Sequence, residues 1–357
     1  MIKVLQVIGS MGYAGIESVI MQYYHAIDKT KIQFDFISNL SEGRYDKEAE
    51  SMGAKVFHLP TKSKHPFKYM KQLLKIIKEN NYDVVHSNAN SASAFLDLLP
   101  AKQAKVKRRI CHSHNSSCLV KWQHYLLKPL LPLYVTDRVA CSNDAGKWLF
   151  RKKDKFTILN NGIDVYQYDY NKDIRDELRN KYNWQEQFII GHVGSFQERK
   201  NQKFLIELLP DLLAKKQNVK LVLIGAYENS LGLELKELVK QLKLENNVEF
   251  LGTQDNVNEL LQAFDVFCFP SLFEGLSVAY VEASCSGLPV IISDIIPYVN
   301  LTATIFRLSL EKDLWINKIL ALTDFKRESV LDKTITSEYN IHNNVKLLEK
   351  IYEGKTK

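Results

Sequence analysis

This sequence predicts an α/β fold of two Rossmann-like domains facing each other across a cleft, and three observations predict it. The chain has 357 residues, which at roughly 100–200 residues per domain means two domains. Short apolar runs alternate with amphipathic stretches, the pattern of βαβ units that build a parallel sheet covered by helices. The alternation restarts near residue 188, beyond a polar, tyrosine-rich stretch. The expected domains are therefore 1–165 and 166–340. A terminal helix over 341–357 follows, its apolar Ile341, Val345, Leu348 and Tyr352 at helical spacing and needing a partner, expected to be the first domain.

The elements follow in order. Ile2–Ile8 reads as a buried strand, then come a glycine turn and an amphipathic helix from Ser18 to Ile27. Phe34–Ser38 and Lys55–Leu59 are further strands, and Pro66 suits the first residue of a helix reaching Asn80. Asp83–His86, Arg109–His112, Arg138–Cys141 and Phe156–Leu159 are strand-like, with helical patterns between them. Val165 to Gln187 reads as a linker with a short helix. In the second half the strands are Phe188–Val193, Leu221–Ile224, Val248–Leu251, Val266–Phe269 and Val290–Ser293. Helices are expected near 202–214, 232–242, 256–264 and 277–286.

Composition narrows the function. Hydrophobic residues make up 45% and charged residues 25%, ordinary for a globular protein and far from collagen, coiled coil or disorder. No stretch approaches the ~18 apolar residues of a membrane-spanning helix, and the apolar start is too short for a signal peptide. Five cysteines without a CxxC read as free thiols in a reducing cytoplasm. The formal charge of +7 is uneven. Residues 1–165 carry 25 Lys+Arg against 14 Asp+Glu, whereas the remainder carries 23 against 27. The first half is expected to be drawn to an anionic surface.

Parallel α/β sheets bind ligands at the carboxyl ends of their strands, so the strand-to-helix turns hold the candidates. The first turn, Gly9 to Glu17, lacks GxGxxG, and its glycines, Gly15 among them, let backbone approach a ligand. The run Phe273–Glu282 follows a strand, and Ser277 is expected to cap the next helix. Eight residues at ~100° each would bring Glu274 and Glu282 to about 80° of one another, facing one ligand. Amides from Gly275 through Leu276, Ser277 and Val278 would take a phosphate, and carboxylates accept bonds from sugar hydroxyls. In the turn after Phe188–Val193, Arg199 and Lys200 precede a helix N-terminus, where cations oppose the dipole unless an anion is present. Each site has a bland counterpart: a tight turn, a solvated Glu282, a solvated charge pair. Cys111, His112, His114 and Cys118 fit no standard zinc spacing. His112 reads as a core histidine, and His114, farther out on the loop, as a sugar contact.

Together these residues resemble the family 4 glycosyltransferases, retaining enzymes of the GT-B fold. Glu274-x7-Glu282 is similar to that family's two-glutamate signature, with Asp265–Phe273 and Gly287-Leu-Pro-Val-Ile as its flanks. Asn160-Asn-Gly162-Ile-Asp164 resembles the segment closing the first domain, and Gly15-Ile-Glu17 with His112-Ser-His114-Asn115 resembles the capsular and exopolysaccharide branch. The resemblance implies roles. Glu282 would bind the nucleotide ribose, and Glu274 with the amides after it the transferred sugar and phosphate. Lys200 would neutralise the leaving diphosphate, Gly15 would bring its loop to donor and acceptor, and His114 would lie beside the reacting sugar. Ser195 stands where the family usually has arginine, a contact that Arg199 would have to supply.

The expected activity is transfer of a sugar from a nucleotide-sugar, with a uridine diphosphate sugar favoured, to a growing glycan on a lipid carrier, without a metal. Two alternatives stay open: a nucleotide-sugar epimerase, and a non-catalytic glycan- or nucleotide-binding protein. The expected location is the cytoplasm, on the inner membrane face. The stripe Lys68, Lys71, Lys75 and Lys78 at helical spacing, the cluster Lys102, Lys105, Lys107, Arg108 and Arg109, and the apolar run Trp122–Tyr134 would meet anionic lipid there. A buried helix over the sheet is the equal reading of that run. Nucleic acid is not an expected partner, because the basic stripes lack aromatic platforms.

Overall fold

The computed structural model describes residues 1–9, 11–12, 15–39, 41–118, 120–274 and 277–356. They form two compact units, Met1–Ile163 with Ile341–Lys357, and Asp164–Asn340.

The first unit holds a seven-stranded parallel sheet. Its strands are β1 (Ile2–Val7), β2 (Ile32–Ser38), β3 (Val56–His58), β4 (Val84–Ala89), β5 (Arg108–Ser113), β6 (Asp137–Ala140) and β7 (Thr157–Ile158). They lie in the order 3-2-1-4-5-6-7. β1, β4 and β5 are central, and their buried stretches Val4–Val7, Val84–Ala89 and Ile110–Ser113 are covered on both faces of the sheet. The helices between them are α1 (Gly15–Ala26), α2 (Asp46–Ser51), α3 (Pro66–Asn80), α4 (Phe95–Gln103), α5 (Lys121–Leu127) and α6 (Asn143–Leu149). α3 starts on Pro66 and ends before Asn81, whose left-handed φ of 54° lets the chain turn away. It buries Tyr69, Leu73 and Ile77 and leaves Lys68, Lys71, Lys75 and Lys78 in solvent.

The second unit repeats the plan. After α7 (Val165–Tyr168) and α8 (Lys172–Lys181) come β8 (Phe188–Val193), α9 (Gln202–Lys215), β9 (Val219–Ile224), α10 (Ser230–Gln241), β10 (Val248–Gly252), α11 (Val257–Ala263), β11 (Val266–Phe269), α12 (Val278–Cys285), β12 (Val290–Ser293), β13 (Ile305–Leu308), α13 (Lys312–Ala321) and α14 (Leu331–Thr334). The sheet order is 10-9-8-11-12-13. In both sheets the strand order reverses beside the first strand, between β1 and β4 and between β8 and β11. That reversal opens a crevice at the carboxyl ends.

The stretch from Val165 to Gln187 is no loose linker. Arg175 and Arg179 both pair with Asp265, Arg179 at 3.1 Å, and Trp184 is fully buried. α15 (Ile341–Glu353) returns to the first unit and packs on α1, burying Ile341, Val345, Leu348 and Tyr352. Gly162 makes this docking possible. A β-carbon there would stand 2.9 Å from Ile341 Cδ1 and 3.0 Å from its Cα, and Ile341 N donates to Ile163 O at 2.9 Å.

Candidate active site

In the second unit the strand ends gather the charged residues. β8 ends at Val193 and runs through Gly194 and Ser195 into a 3₁₀ turn, Glu198–Lys200, just before α9. Gln202 braces this loop by donating to the carbonyls of Gly194 and Ser195, at 3.3 and 3.1 Å. The loop after β11 is tied to it: Leu272 N donates to Arg199 O, and Asn201 Nδ2 to Pro270 O. These ties place Glu274 between two cations. Arg199 donates to Glu274 Oε2 at 2.8 Å, and the Lys200 ammonium stands 2.7 Å from Oε1. Lys200 is 7% exposed and lies 4.5 Å above the Phe269 ring. Burial pulls its ammonium below the usual lysine range; the Glu274 carboxylate opposes that, and the Arg199 charge adds to it. The two cations before a helix N-terminus thus have an anion from the chain itself.

The two glutamates do not share one helical face. α12 begins only at Val278, so rotation per residue along a helix does not apply to Glu274. Ser277 occupies the cap position and is buried, yet its side chain makes no capping hydrogen bond. Glu282 lies inside α12, 8% exposed, and accepts from the Tyr168 hydroxyl at 2.7 Å. Burial pushes its carboxyl up to about 7, with the Tyr168 bond pulling the other way. Gly275 and Leu276 lie outside the described residues, and Val278 is half-buried at the helix start.

Under this cluster lies His192, which the sequence reading passed over as a strand residue. It donates from Nδ1 to Cys268 O at 2.9 Å, and burial holds its ring down near 4, so it is neutral at pH 7. Tyr168 was missed too. Its only signal in the sequence is its place in the tyrosine-rich stretch before the second sheet.

In the first unit Gly15 opens α1 in solvent, and nothing lies within 4 Å of where its β-carbon would stand. No packing among the described residues demands a glycine there. His114 lies on the loop one residue past β5, and it is only 4% exposed. Its backbone N–H still donates to Ala89 O at 3.2 Å, so it forms the last rung of the β5 ladder and its ring turns inward. There His86, His112 and His114 stack, His112 and His114 with centroids 3.9 Å apart. Burial holds His86 near 3, His114 near 4 and His112 well below the usual histidine range; the His114 charge also pushes His86 and His112 down, whereas the Asn161 side chain pulls His114 up. The histidines bond to one another and to Asn88 rather than to Cys111, and Cys111 and Cys118 are both free thiols.

The second basic cluster is partly spent within the fold. Arg108 pairs with Asp137, and Arg109 donates to the carbonyls of Tyr134 and Val106. The apolar run divides. Leu131 and His124 are buried, but Trp122, Tyr125, Leu126 and Leu133 are exposed by 60% or more. Among the described residues no helix is long and apolar enough to cross a membrane.

Comparison with known proteins decides the class. Residues 13–167 match Glycosyltransferase Family 4, and residues 174–302 match Glycosyl transferases group 1. The chain is 34% identical to EpsF of Bacillus subtilis, named as a glycosyltransferase, over 99% of this chain and 97% of that one. It is 27% identical to the capsular polysaccharide biosynthesis glycosyltransferase CapH of Staphylococcus aureus, covering 100% of each. It is 26% identical to the UDP-Gal:alpha-D-GlcNAc-diphosphoundecaprenol alpha-1,3-galactosyltransferase of Escherichia coli, over 95% of this chain and 92% of that one. Among solved structures, HepE of Anabaena in complex with UDP-glucose superposes with a TM-score of 0.77 at 18% identity, covering 99% and 98% of the two chains. Neither an epimerase nor a bare binding module is favoured by these matches. With both halves matched in order, and paired glutamates and a lysine where parallel strands end, the chain belongs to the family 4 glycosyltransferases of the GT-B fold.

Proposed function

We propose that the chain moves a sugar from a uridine diphosphate sugar to a lipid-linked glycan during cell-surface polysaccharide synthesis, with retention at the anomeric carbon and without a metal. The observation that carries this reading is the convergence of Arg199, Lys200 and Glu274 where β8 and β11 part. A diphosphate suits the two cations, with Arg199 standing in for the arginine that Ser195 replaces. Sugar hydroxyls suit the Glu274 carboxylate, and ribose hydroxyls suit Glu282. The amides of Ser277 and Val278 open α12 toward the phosphates. HepE, whose complex holds UDP-glucose, and the galactosyltransferase named for UDP-Gal support the choice of nucleotide.

The chemistry that follows is a displacement on one face of the sugar. The acceptor hydroxyl oxygen bonds to the anomeric carbon while the bond from that carbon to the diphosphate oxygen breaks. The electron pair leaves with the phosphate, and the hydroxyl proton passes to it. Lys200 and Arg199 stabilise the charge that grows there. The second unit, near 166–340, is the donor half, and the first, near 1–165 with 341–357, is the acceptor half, where Gly15 starts α1 and His114 follows β5. The relative named for a diphosphoundecaprenol acceptor supports a lipid carrier. So does the first unit's surface, where the exposed lysines of α3 and the exposed Trp122, Tyr125 and Leu126 of α5 suit an anionic leaflet on the cytoplasmic side.

The test is a panel of nucleotide-sugars read by thermal shift, then by transfer to an undecaprenyl-diphosphate glycan. A uridine diphosphate sugar should raise the melting temperature, and the product should keep the donor's anomeric configuration in the presence of EDTA. An epimerised donor, an inverted product or binding without turnover would overturn the reading.

A further inference from the structure

His192 is a fully buried histidine that the transfer chemistry above leaves without a role. It stands next to last in β8, two residues before Gly194. The fold itself places its proton. The Cys268 backbone carbonyl, 2.9 Å from Nδ1, only accepts, so Nδ1 carries the hydrogen. Nε2 is then a bare lone pair, and among the described residues it has no hydrogen-bond partner. Burial keeps the ring neutral; the Cys268 bond resists this, and the nearby Lys200 charge adds to it. The imidazole lies nearly parallel to the Phe267 and Phe269 rings, 4° and 20° from them, which fixes the direction of Nε2.

That direction is toward Lys200. A β-carbon at Gly194 would stand 3.3 Å from His192 Nε2 and 3.3 and 3.4 Å from Lys200 Cδ and Cε. The lone pair and the lysine stem thus flank one point, and the glycine keeps that point clear of any side chain. Both residues also share the Phe269 ring, the ammonium 4.5 Å from its centroid and the imidazole stacked at 5.6 Å.

An ammonium has three protons to place. Glu274 Oε1 takes one at 2.7 Å. When a sugar hydroxyl donates to Glu274, that carboxylate has less to give the lysine. A buried ammonium then needs another acceptor, and the charge of that acceptor matters. A second carboxylate would cancel the charge that a diphosphate needs, and an imidazolium would repel the lysine. A neutral imidazole holds the cation and leaves its charge intact.

We propose that His192 is a positioning residue for the transfer, its Nε2 lone pair steadying the Lys200 ammonium at the end of β8 for the departing diphosphate. The proposal rests on the reading above in one respect, that Lys200 meets that group. Buried as it is, His192 acts through Lys200 alone.

The experiment separates the two ring nitrogens. Asparagine puts an amide N–H where Nδ1 stands and keeps the Cys268 bond, whereas glutamine puts an oxygen where Nε2 stands and keeps the acceptor. His192→Asn should lower kcat about 10-fold at unchanged donor KM, because charge on the leaving group grows only in the transition state. His192→Gln should recover most of that loss. The opposite order, equal losses in both variants, or no loss in either would overturn the proposal. A second arm does not depend on turnover. Nitrogen-15 imidazole spectra of the full-length protein at pH 7, with His192 assigned by comparison with either variant, should show a protonated Nδ1 and an unprotonated Nε2. Lys200→Met should shift the Nε2 resonance. A proton on Nε2, or an Nε2 resonance indifferent to Lys200→Met, overturns the pairing. Normal transfer by Lys200→Met would sink the donor-site reading instead, and the spectra would still judge the pair.

Discussion

Glu282 carries two conflicting demands, because the residue that would hold a ribose is also a buried acid. Its carboxyl, pushed up to about 7 from an ordinary 4.5, favours the folded state when protonated. That contribution is fully present below pH 4.5 and is lost as pH rises through about 7. Glu282→Gln should therefore raise the melting temperature at pH 8, by about 2 kcal/mol or roughly 5 °C, as a thermal scan would read. The same substitution should weaken uridine nucleotide binding about 10-fold at pH 8 by titration calorimetry. Ribose hydroxyls donate to the ionised form, so wild-type affinity should climb between pH 6 and 8 and the variant's should stay flat. A wild-type affinity without that climb would remove Glu282 from the ribose. Lys200→Ala should cost about 10²–10³-fold in kcat, because it deletes a buried cation from the leaving group's side. These residue types and spacings were legible in the sequence. Burial was not, which is why the inward turn of the His114 ring was not foreseen and His192 was passed over: a histidine at a strand end reads the same whether its ring points in or out.

At the scale of elements, the sequence was most informative where an apolar run is bounded on both sides. Phe188–Val193, Val266–Phe269 and Val290–Ser293 were read to the residue and the Pro66 helix to about its end, since proline, glycine, asparagine and aspartate mark most of these boundaries. Less visible were α2, whose Asp46–Ser51 is almost wholly polar, and β13 with α13, where short and weakly patterned segments give no period to count. The stretch before β8 looked like a linker because it is polar. Its arginines are there to bond Asp265 and the carbonyls around α11. Two element-scale outcomes can be measured. Gly162→Ala should destabilise the first unit by about 1–3 kcal/mol in urea, because the added carbon meets Ile341 closer than contact allows. A double change of Trp122 and Leu126 to Ser should lower co-sedimentation with phosphatidylglycerol vesicles about 10-fold, because each loses apolar area at the lipid surface, while the melting temperature holds. Unchanged sedimentation would leave α5 with no lipid to meet.

Across the whole molecule, five buried histidines among the described residues, held below the usual range, set a limit in acid; burial also lowers the fifth, His124. His86, His114 and His192 titrate near 3 to 4 when folded, and His112 is also held well below the usual range. Unfolded, each binds a proton near 6.5, so the stability they allow is complete above that value and falls as pH drops toward 4. The urea midpoint should decline steeply over that window. Replacing His86 by Gln should flatten the slope by about one proton, and an unchanged slope would place its ring in water. Four of the five, all but His192, lie in the first unit, so that unit should open first.

The return of α15 to the first sheet also dictates an order of manufacture. The aromatic ring of Tyr352 fills space against Phe34 and His86, yet Asp164–Asn340 must all be translated before it emerges. At about 5–20 residues per second that interval is roughly 10–35 s. During it the first sheet has no α15 against α1, and polar groups of Gln6 and His86 have no tyrosine. The second unit's core cluster is drawn entirely from Phe188 to Leu322, so the later half should finish first on the ribosome. Nascent chains stalled at residue 340 should then yield a protease-resistant second unit and a cleavable first one, the reverse of the order in which they were made.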